Sequence, residues 1–372
     1  MSPSFDVFIA GAGPAGAATA ISLSAVAPGL RVCLADMGRD ASFRVGESVP
    51  PLIKRFLDHL GVWPQFTSDQ HCPSFRTVSA WGGPELIGNE FFWDVHNTGW
   101  RLDRTLFDRM LAREAENHGA VPMAAKIRAL RYDEGLWSVD CGEAGIHSAR
   151  CVVDATGRSA LLSRLAGLKP VNYDRLVASV VLFEESGNQD APGADAALVE
   201  SFIDGWWYTA ATPGGRRIAA LMTDTDIVRQ LGAARLDSWM EGLGKTRHIG
   251  PVIGAARPIT LPKLWPAGSR FLEGALPSGM IAVGDAASCF DPLSSQGIIK
   301  ALRSAIFASY AIADWLSHSD EQGFVKYDAL MKREFAAYQQ TLHDYYGQEQ
   351  RWPDSAFWHR RHIRNDTSTF AE

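Results

Sequence analysis

The sequence lacks the features that mark several protein classes. Its 372 residues carry a formal net charge of −6 and no block of Lys and Arg, so nucleic acid is not an expected partner. It has no internal repeat, low-complexity segment or long linker. The apolar stretch at residues 5–18 is interrupted by Asp6 and by glycines, and no basic region precedes it. We therefore expect neither a signal peptide nor a membrane span.

Cysteine is scarce and scattered. The five cysteines are Cys33, Cys72, Cys141, Cys151 and Cys289. No pair has the spacing of a metal or redox motif. This pattern is typical of reduced thiols, so we expect a cytoplasmic protein without a bound metal.

The first chemical motif that is present is a Gly-rich loop, Gly11-Ala12-Gly13-Pro14-Ala15-Gly16, after an apolar run at residues 7–10. The run predicts a buried strand. In such a loop the first Gly allows a tight turn, the second lets a pyrophosphate approach, and the third lets the next helix pack closely. The N-terminus of that helix offers free N–H groups to phosphate.

An acidic residue follows at the expected distance. A second apolar run ends at Asp36, twenty residues after Gly16. An acid at this point binds the ribose hydroxyls of an adenosine and would repel a 2′-phosphate. Four later segments extend the pattern: residues 44–48, 154–157, 284–287 and 291–297. In this order the segments indicate FAD held along its full length, whereas one Gly-rich loop alone would be a weak signal.

The chain alternates between two kinds of segment. Residues 1–75, 98–163 and 268–315 have the pattern of βα units and predict a discontinuous, Rossmann-like FAD-binding domain. Residues 76–97 and 164–267 predict an inserted substrate domain built on a mostly antiparallel sheet. Residues 316–372 predict a C-terminal helical segment. The predicted fold class is α/β, with the ligand pocket at the domain interface.

These motifs resemble those of the FAD-dependent monooxygenases related to para-hydroxybenzoate hydroxylase, together with flavin-dependent halogenases and geranylgeranyl reductases. Three stretches are most similar to the flavoproteins that mature tryptophylquinone enzymes, namely the partners of lysine ε-oxidase, glycine oxidase and quinohemoprotein amine dehydrogenase. The three stretches are residues 46–51, residues 205–210, and the tail with residues 351–353 and 357–361.

The resemblance implies roles for the motif residues. Asp285 would accept hydrogen bonds from the ribityl chain of the flavin, and the segment at residues 292–297 would place backbone N–H groups at the pyrimidine end of the ring. The strand end at residues 154–157 would pack on the cofactor without a chemical role. The residues expected to bind FAD are Gly11, Gly13, Pro14, Ala15, Gly16, Asp36, Arg44, Glu47, Ser48, Arg104, Gly284, Asp285, Ser294, Gln296 and Gly297.

The resemblance also implies a reaction. Reduced FAD would meet O2 in a dry pocket to form a C4a-hydroperoxide that hydroxylates an aromatic ring, with NAD(P)H or a separately reduced flavin as the electron donor. The subgroup implies that the ring is a Trp side chain of a partner protein, modified during tryptophylquinone biogenesis. The residues expected to face the pocket or the flavin are Trp207, Tyr208, Pro292 and Ser295, together with the aromatic residues Trp81, Trp93 and Trp206. Strands also favour such aromatics in their cores.

Three alternatives stay open. A flavin-dependent halogenase would carry a catalytic Lys on the strand where this chain has Arg76, a group that stays protonated. A geranylgeranyl-reductase-like enzyme would need a long apolar channel, and a flavin-bearing chaperone would use FAD only for structure.

The aromatic tail with Trp352, Phe357 and Trp358 predicts either a docking surface or a helix packed on the body of the protein.

Overall fold

The structure, a computed structural model, describes residues 4–38, 45–91, 94–184 and 187–363. The strands in these ranges are β1 Phe5–Ala10, β2 Val32–Asp36, β3 Ser48–Val49, β4 Cys72–Ser74, β5 Arg76–Ala80, β6 Ile87–Glu90, β7 Gly99–Arg101, β8 Val121–Ala124, β9 Ala129–Asp133, β10 Leu136–Asp140, β11 Ile146–Asp154, β12 Pro170–Asn172, β13 Leu176–Glu184, β14 Ala197–Phe202, β15 Gly205–Thr212, β16 Arg216–Asp224, β17 Lys263–Pro266, β18 Arg270–Leu272, β19 Met280–Ala282 and β20 Ser288–Cys289. The helices are α1 Pro14–Val26, α2 Ile53–His59, α3 Trp63–Ser68, α4 Arg104–Asn117, α5 Leu161–Leu165, α6 Thr225–Leu231, α7 Leu236–Gly244, α8 Ile249–Ile253, α9 Gly297–His318, α10 Gln322–Gly347 and α11 Ala356–His362.

The first sheet carries the nucleotide motifs. Its strand order is β8-β2-β1-β11-β10-β9, and β19 pairs with the second half of β11. Strands β8, β2, β1, β11 and β19 are parallel, so their carboxyl ends meet at one edge of the sheet. The pairs Ala10↔Asp154 and Asp154↔Ala282 set this edge in register. The hairpin β9–β10 extends the sheet antiparallel to β11, which the βα pattern did not predict.

Small residues let α1 pack closely in the apolar core beside the first sheet. The buried residues of α1 include Ala17, Ala18 and Ala20, and the helix lies against α9 in the apolar core. Ser22 Oγ and Ser309 Oγ share a hydrogen bond of 2.6 Å between these two helices. The two helices that begin with sequence motifs are thus held side by side.

The second sheet has the order β17-β13-β16-β15-β14-β5-β6 and is antiparallel except for the parallel pair β14–β5. One face packs on α7 and α8, where Trp239 and Val252 lie in its core. The other face packs on the C-terminal helices, where Tyr346 and Trp358 lie. The burial of nearly every residue of β13 and β16 follows from this two-sided cover.

Two three-stranded sheets, β12-β18-β20 and β3-β7-β4, complete the architecture, and α10 and α11 end the described chain. The predicted fold class is confirmed: an α/β unit with a mainly parallel sheet, a second, mostly antiparallel sheet and C-terminal helices. The exact domain boundaries stay a prediction. None of the helices in the described ranges combines the length and apolar character that a bilayer crossing requires.

Candidate functional site

The Gly-rich loop lies where β1 ends and α1 begins. The N–H of Gly11 donates to the Ala35 carbonyl oxygen at 2.7 Å, and Gly11 has φ +104°. A Cβ on Gly11 would lie 2.3 Å from the Ala155 carbonyl oxygen, and one on Gly16 would lie 1.9 Å from the Gly11 carbonyl oxygen. A Cβ on Gly13 would meet no heavy atom within 4 Å. The loop is tight against its neighbours and open at the helix N-terminus, as a phosphate cradle requires.

The neighbouring strand ends bring other motifs to this loop. Pro14 is at the start of α1, and Asp36 is the last residue of β2, at the same edge of the sheet. The Ala155 N–H donates to the Ala10 carbonyl oxygen at 2.9 Å. The Asp154 carboxylate, by contrast, is fully used by the N–H and hydroxyl groups of Thr156 and Ser163, which makes it a structural residue.

Asp285 follows β19 and pairs with a buried lysine. Its Oδ1 accepts from Lys300 Nζ at 2.8 Å, and the Lys300 side chain, 1% exposed, also donates to the Ser288 carbonyl oxygen. Burial raises the pKa of Asp285, but Lys300 and then Arg158 outweigh it, so this pKa lies below its usual value. The Asp285 side chain is 40% exposed, so an ionised acceptor is available to ribityl hydroxyls. Sequence reasoning missed Lys300, although it is a charged residue in the otherwise apolar first turn of α9.

The turn before α9 presents its backbone outward. Pro292–Ser294 is a 3-10 turn, and Ser295 follows with φ +50°. Gln296 caps α9, and Ser294 Oγ donates to the Asp291 carbonyl oxygen at 2.8 Å. Four residues of this stretch are exposed: Pro292, Ser295, Gln296 and Gly297. A turn exposed at the start of a long helix fits the role expected for it beside the flavin ring.

Glu47, Ser48 and Tyr208 form a polar group that we call the Tyr208 cluster. Tyr208 OH and Ser48 Oγ share a hydrogen bond of 2.7 Å, and Glu47 Oε2 accepts from the Gly46 N–H at 2.9 Å. Burial raises the pKa of Glu47, against the opposing effects of Tyr208, backbone N–H groups and Arg104. Burial, and then the charge of Glu47, raise the pKa of Tyr208 well above its usual value. Both groups thus hold their protons to higher pH than usual.

Arg104, expected to contact the cofactor, organises the loop that precedes Ser48. Its Nη1 donates to the Val45 carbonyl oxygen at 2.7 Å, and its Nη2 lies 3.2 Å from Asp108 Oδ1. It is also close enough to lower the pKa of both Glu47 and Asp285. The charge of Arg104 therefore acts on both the Tyr208 cluster and Asp285. Arg44 and Trp93 lie outside the described residues.

The structure corrects the expectation that Trp207 faces the flavin side together with Tyr208. Neighbouring residues of a strand point to opposite faces of a sheet. Trp207 is fully buried against Trp239 beneath α7, with ring centroids 4.9 Å apart. Trp206 and Tyr208 lie on the other face. Trp207 is therefore a core residue, separated from the candidate site by the sheet.

The aromatic tail packs on the body of the protein. Phe357 and Trp358 are fully buried, and Trp358 Nε1 donates to the Phe202 carbonyl oxygen at 2.8 Å. Trp81 and Trp206 also lie in this cluster, and their indole N–H groups donate to α10. Of the two interpretations of the tail, the packed helix is the one that the structure supports.

Comparison with known proteins gives relatives along nearly the whole chain. No family model matches the sequence. LodB of Marinomonas mediterranea, an FAD-dependent oxidoreductase, is 32% identical over 367 residues, covering 96% of this chain and 97% of LodB. The flavin-dependent halogenase CmlS has a TM-score of 0.85 at 23% identity, covering 100% of this chain and 69% of CmlS, which shows the fold alone. QhpG, a peptidyl tryptophan dihydroxylase essential for tryptophylquinone cofactor biogenesis, has a TM-score of 0.75 at 25% identity, covering 99% of this chain and 80% of QhpG.

Proposed function

The chain belongs to the FAD-dependent oxidoreductases that include LodB, and from this premise we propose that it is a monooxygenase that hydroxylates a Trp side chain of a partner protein. One atom of O2 enters the aromatic C–H bond and the other leaves as water. The two electrons come from NAD(P)H or from a reduced flavin. With NAD(P)H the balance is completed by one proton from solvent.

The residues at the first sheet edge fit FAD. The open N-terminus of α1 at Gly13 would receive the diphosphate, Asp36 the adenosine ribose, and Asp285 the ribityl chain. The exposed turn at residues 292–297 would lie against the ring. When bound, FAD supplies the electron transfer that activates O2.

The observation that carries the proposal is the Tyr208 cluster. Tyr208 packs in the same apolar cluster as Leu293, which belongs to the turn expected at the flavin ring. Glu47 is 3% exposed and holds a proton to higher pH than an ordinary carboxyl. A buried carboxyl group that hydrogen-bonds a Tyr hydroxyl is suited to hold or move a proton beside a reacting aromatic ring. The similarity to QhpG supports a peptidyl Trp as that ring.

The environment of Arg76 supports hydroxylation over halogenation. Arg76 is the first residue of β5, and its guanidinium forms two bonds to Asp195, of 2.8 and 3.0 Å. The hydrogen bonds to Asp195 raise the pKa of Arg76 further. A permanently charged, paired guanidinium is no substitute for the amine that the halogenating step requires. Lys54 is also unsuited, because it lies on α2 and pairs with Asp58 at 2.5 Å.

The test supplies FAD-loaded protein with NAD(P)H, isotopically labelled O2 and Trp peptides or a Trp-bearing partner domain, followed by mass spectrometry. We expect labelled oxygen in the Trp residue. Halogen incorporation on addition of bromide or chloride would contradict the proposal. Reduction of an isolated double bond without O2, or FAD binding without turnover, would also contradict it.

A pair of variants tests the Tyr208 cluster. Tyr208→Phe removes the hydroxyl bonded to Ser48, and we expect product formation to fall by about tenfold or more while FAD remains bound. Tyr132→Phe is the matched control, because Tyr132 is exposed on β9 in the hairpin of the first sheet. Equal activity of the two variants would remove Tyr208 from the mechanism.

A further inference from the structure

A chain of hydrogen bonds links the second sheet, α10 and the turn before α9. Trp206 Nε1 donates to Tyr346 OH at 3.0 Å, and Tyr346 OH donates to Asp291 Oδ2 at 2.8 Å. The Leu293 N–H donates to Asp291 Oδ1 at 2.9 Å. We call Trp206, Tyr346, Asp291 and Leu293 the Asp291 chain. Its first three members are almost fully buried, and hydrogen bonds are electrostatically stronger in such surroundings than in bulk water.

A second contact from α10 holds the same residue. The Asp291 N–H donates to Tyr338 OH at 2.6 Å, and Tyr338 OH shares a hydrogen bond of 2.7 Å with Ser269 Oγ. The Tyr338 ring stacks on Phe290, with centroids 4.0 Å apart and an interplanar angle of 2°. The backbone and the side chain of Asp291 are thus both bonded to tyrosines of α10.

We propose that Asp291 and Tyr346 are positioning residues of the FAD site. They hold the turn at residues 292–297 in place relative to β15, the strand that carries both Trp206 and Tyr208. A shift of this turn would change the distance between the flavin ring and the Tyr208 cluster. This inference depends on the FAD dependence of the family and holds whichever substrate is oxidised.

The surroundings of Asp291 make its charge sensitive to pH. Burial and then Asp174 raise the pKa of Asp291 to about 7, against the opposing effects of the Leu293 N–H, Tyr346 and Arg361. A cavity of about 410 Å³ adjoins Asp291. The titratable and charged groups around Asp291, in this cavity wall or in direct contact, are Asp174, Arg175, Asp224, Tyr173, Tyr338, His343, Tyr346, Arg360 and Arg361.

The test follows the bound flavin directly. Visible absorbance and circular dichroism of FAD-loaded protein are measured across neutral pH, and flavin fluorescence gives the FAD dissociation constant. In the wild type we expect a spectral transition with a midpoint near pH 7, because the pKa of Asp291 is about 7. Asp291→Asn should abolish this transition. Tyr346→Phe should move its midpoint upward, because the carboxylate loses a donor that lowers its pKa.

Both variants should weaken FAD binding by about tenfold, the effect of one hydrogen bond to a charged group. Tyr345→Phe is the matched control, since the Tyr345 side chain is 47% exposed on the same helix, and we expect it to behave as the wild type. Tyr346→Phe decides the question if Asp291→Asn fails to fold, because it keeps the ring.

A flavin spectrum that does not change across neutral pH, with FAD affinity equal in Tyr346→Phe and Tyr345→Phe, would overturn the proposal. If the wild type shows the expected spectral results but does not hydroxylate Trp, the proposed reaction is overturned and the positioning role stays in place.

Discussion

At the scale of single residues, specific neighbours set the protonation of the carboxyl groups in and around the candidate site. Asp285 is kept ionised by Lys300 and Arg158, whereas burial keeps Glu47 and Asp291 protonated to higher pH. Lys300 donates directly to Asp285, whereas the charges of Arg104 and Arg361 offset the effect of burial on Glu47 and Asp291 only in part. The three acids are therefore suited to different tasks.

Asp291 should make stability depend on pH. Its pKa rises from 3.8 to about 7 on folding, so the folded state binds an extra proton between these values. The stabilisation is complete below pH 3.8 and is lost as pH rises through 7, a change of about 4 kcal/mol. Asp291→Asn should remove this contribution. Urea unfolding at a series of pH values measures it, and an unchanged pH slope in the variant would contradict the assignment.

At the scale of secondary-structure elements, two glycines of the turn between β1 and α1 have different roles: we expect Gly16 to be needed for stability and Gly13 for FAD binding. Gly16→Ala would force a Cβ against the Gly11 carbonyl oxygen, and we expect it to destabilise the protein by about 1–3 kcal/mol or more. Gly13→Ala should leave stability almost unchanged and weaken FAD binding, because its Cβ would point into the open cradle. Thermal unfolding without FAD, together with FAD titration, distinguishes the two effects. Equal thermal stability of the two variants would contradict this account.

Helix α11 is a packing element of the second sheet. Trp358→Ala would leave a cavity beneath β15 and remove the indole N–H that donates to the Phe202 carbonyl oxygen, at a cost of about 3–5 kcal/mol. Phe307→Ala, an exposed side chain on α9, is the control and should cost far less. Urea unfolding compares them. A Trp358→Ala variant as stable as the wild type would return the tail to the role of a docking surface.

At the scale of the whole molecule, bound FAD should stabilise the folded protein by contacting segments that are far apart in the sequence. The expected contacts come from Gly11 to Gly297, so a bound cofactor should stabilise the first sheet, α1 and the turn that α10 supports. FAD at about a hundred times its dissociation constant should raise the free energy of unfolding by about 2.7 kcal/mol. Calorimetry with and without FAD measures this, with Gly13→Ala as the control that gains less. No shift with saturating FAD would contradict a specific site.

Much of the fold could be predicted because the motifs are local. The apolar runs that end at Ala10 and Asp36 form parallel strands, and the segment after residue 297 forms a long helix. The hairpin β9–β10 was missed because strands joined through antiparallel turns have the same local pattern as strands in a βα unit. Trp207 was misplaced because a run of three aromatics does not show which face of a sheet each one occupies.

The sequence by itself determined the Gly-rich loop, the acid after β2 and the absence of Lys from β5, since each depends on residues within a few positions of one another. The order of such local patterns along the chain determined the α/β class. Only the tertiary structure decided that Glu47 and Tyr208 meet, that Lys300 pairs with Asp285, and that Tyr346 reaches Asp291. These contacts join elements from separate parts of the chain. The burial of these groups and the neighbours that packing brings to them set their pKa values and hydrogen bonds, and local sequence specifies neither.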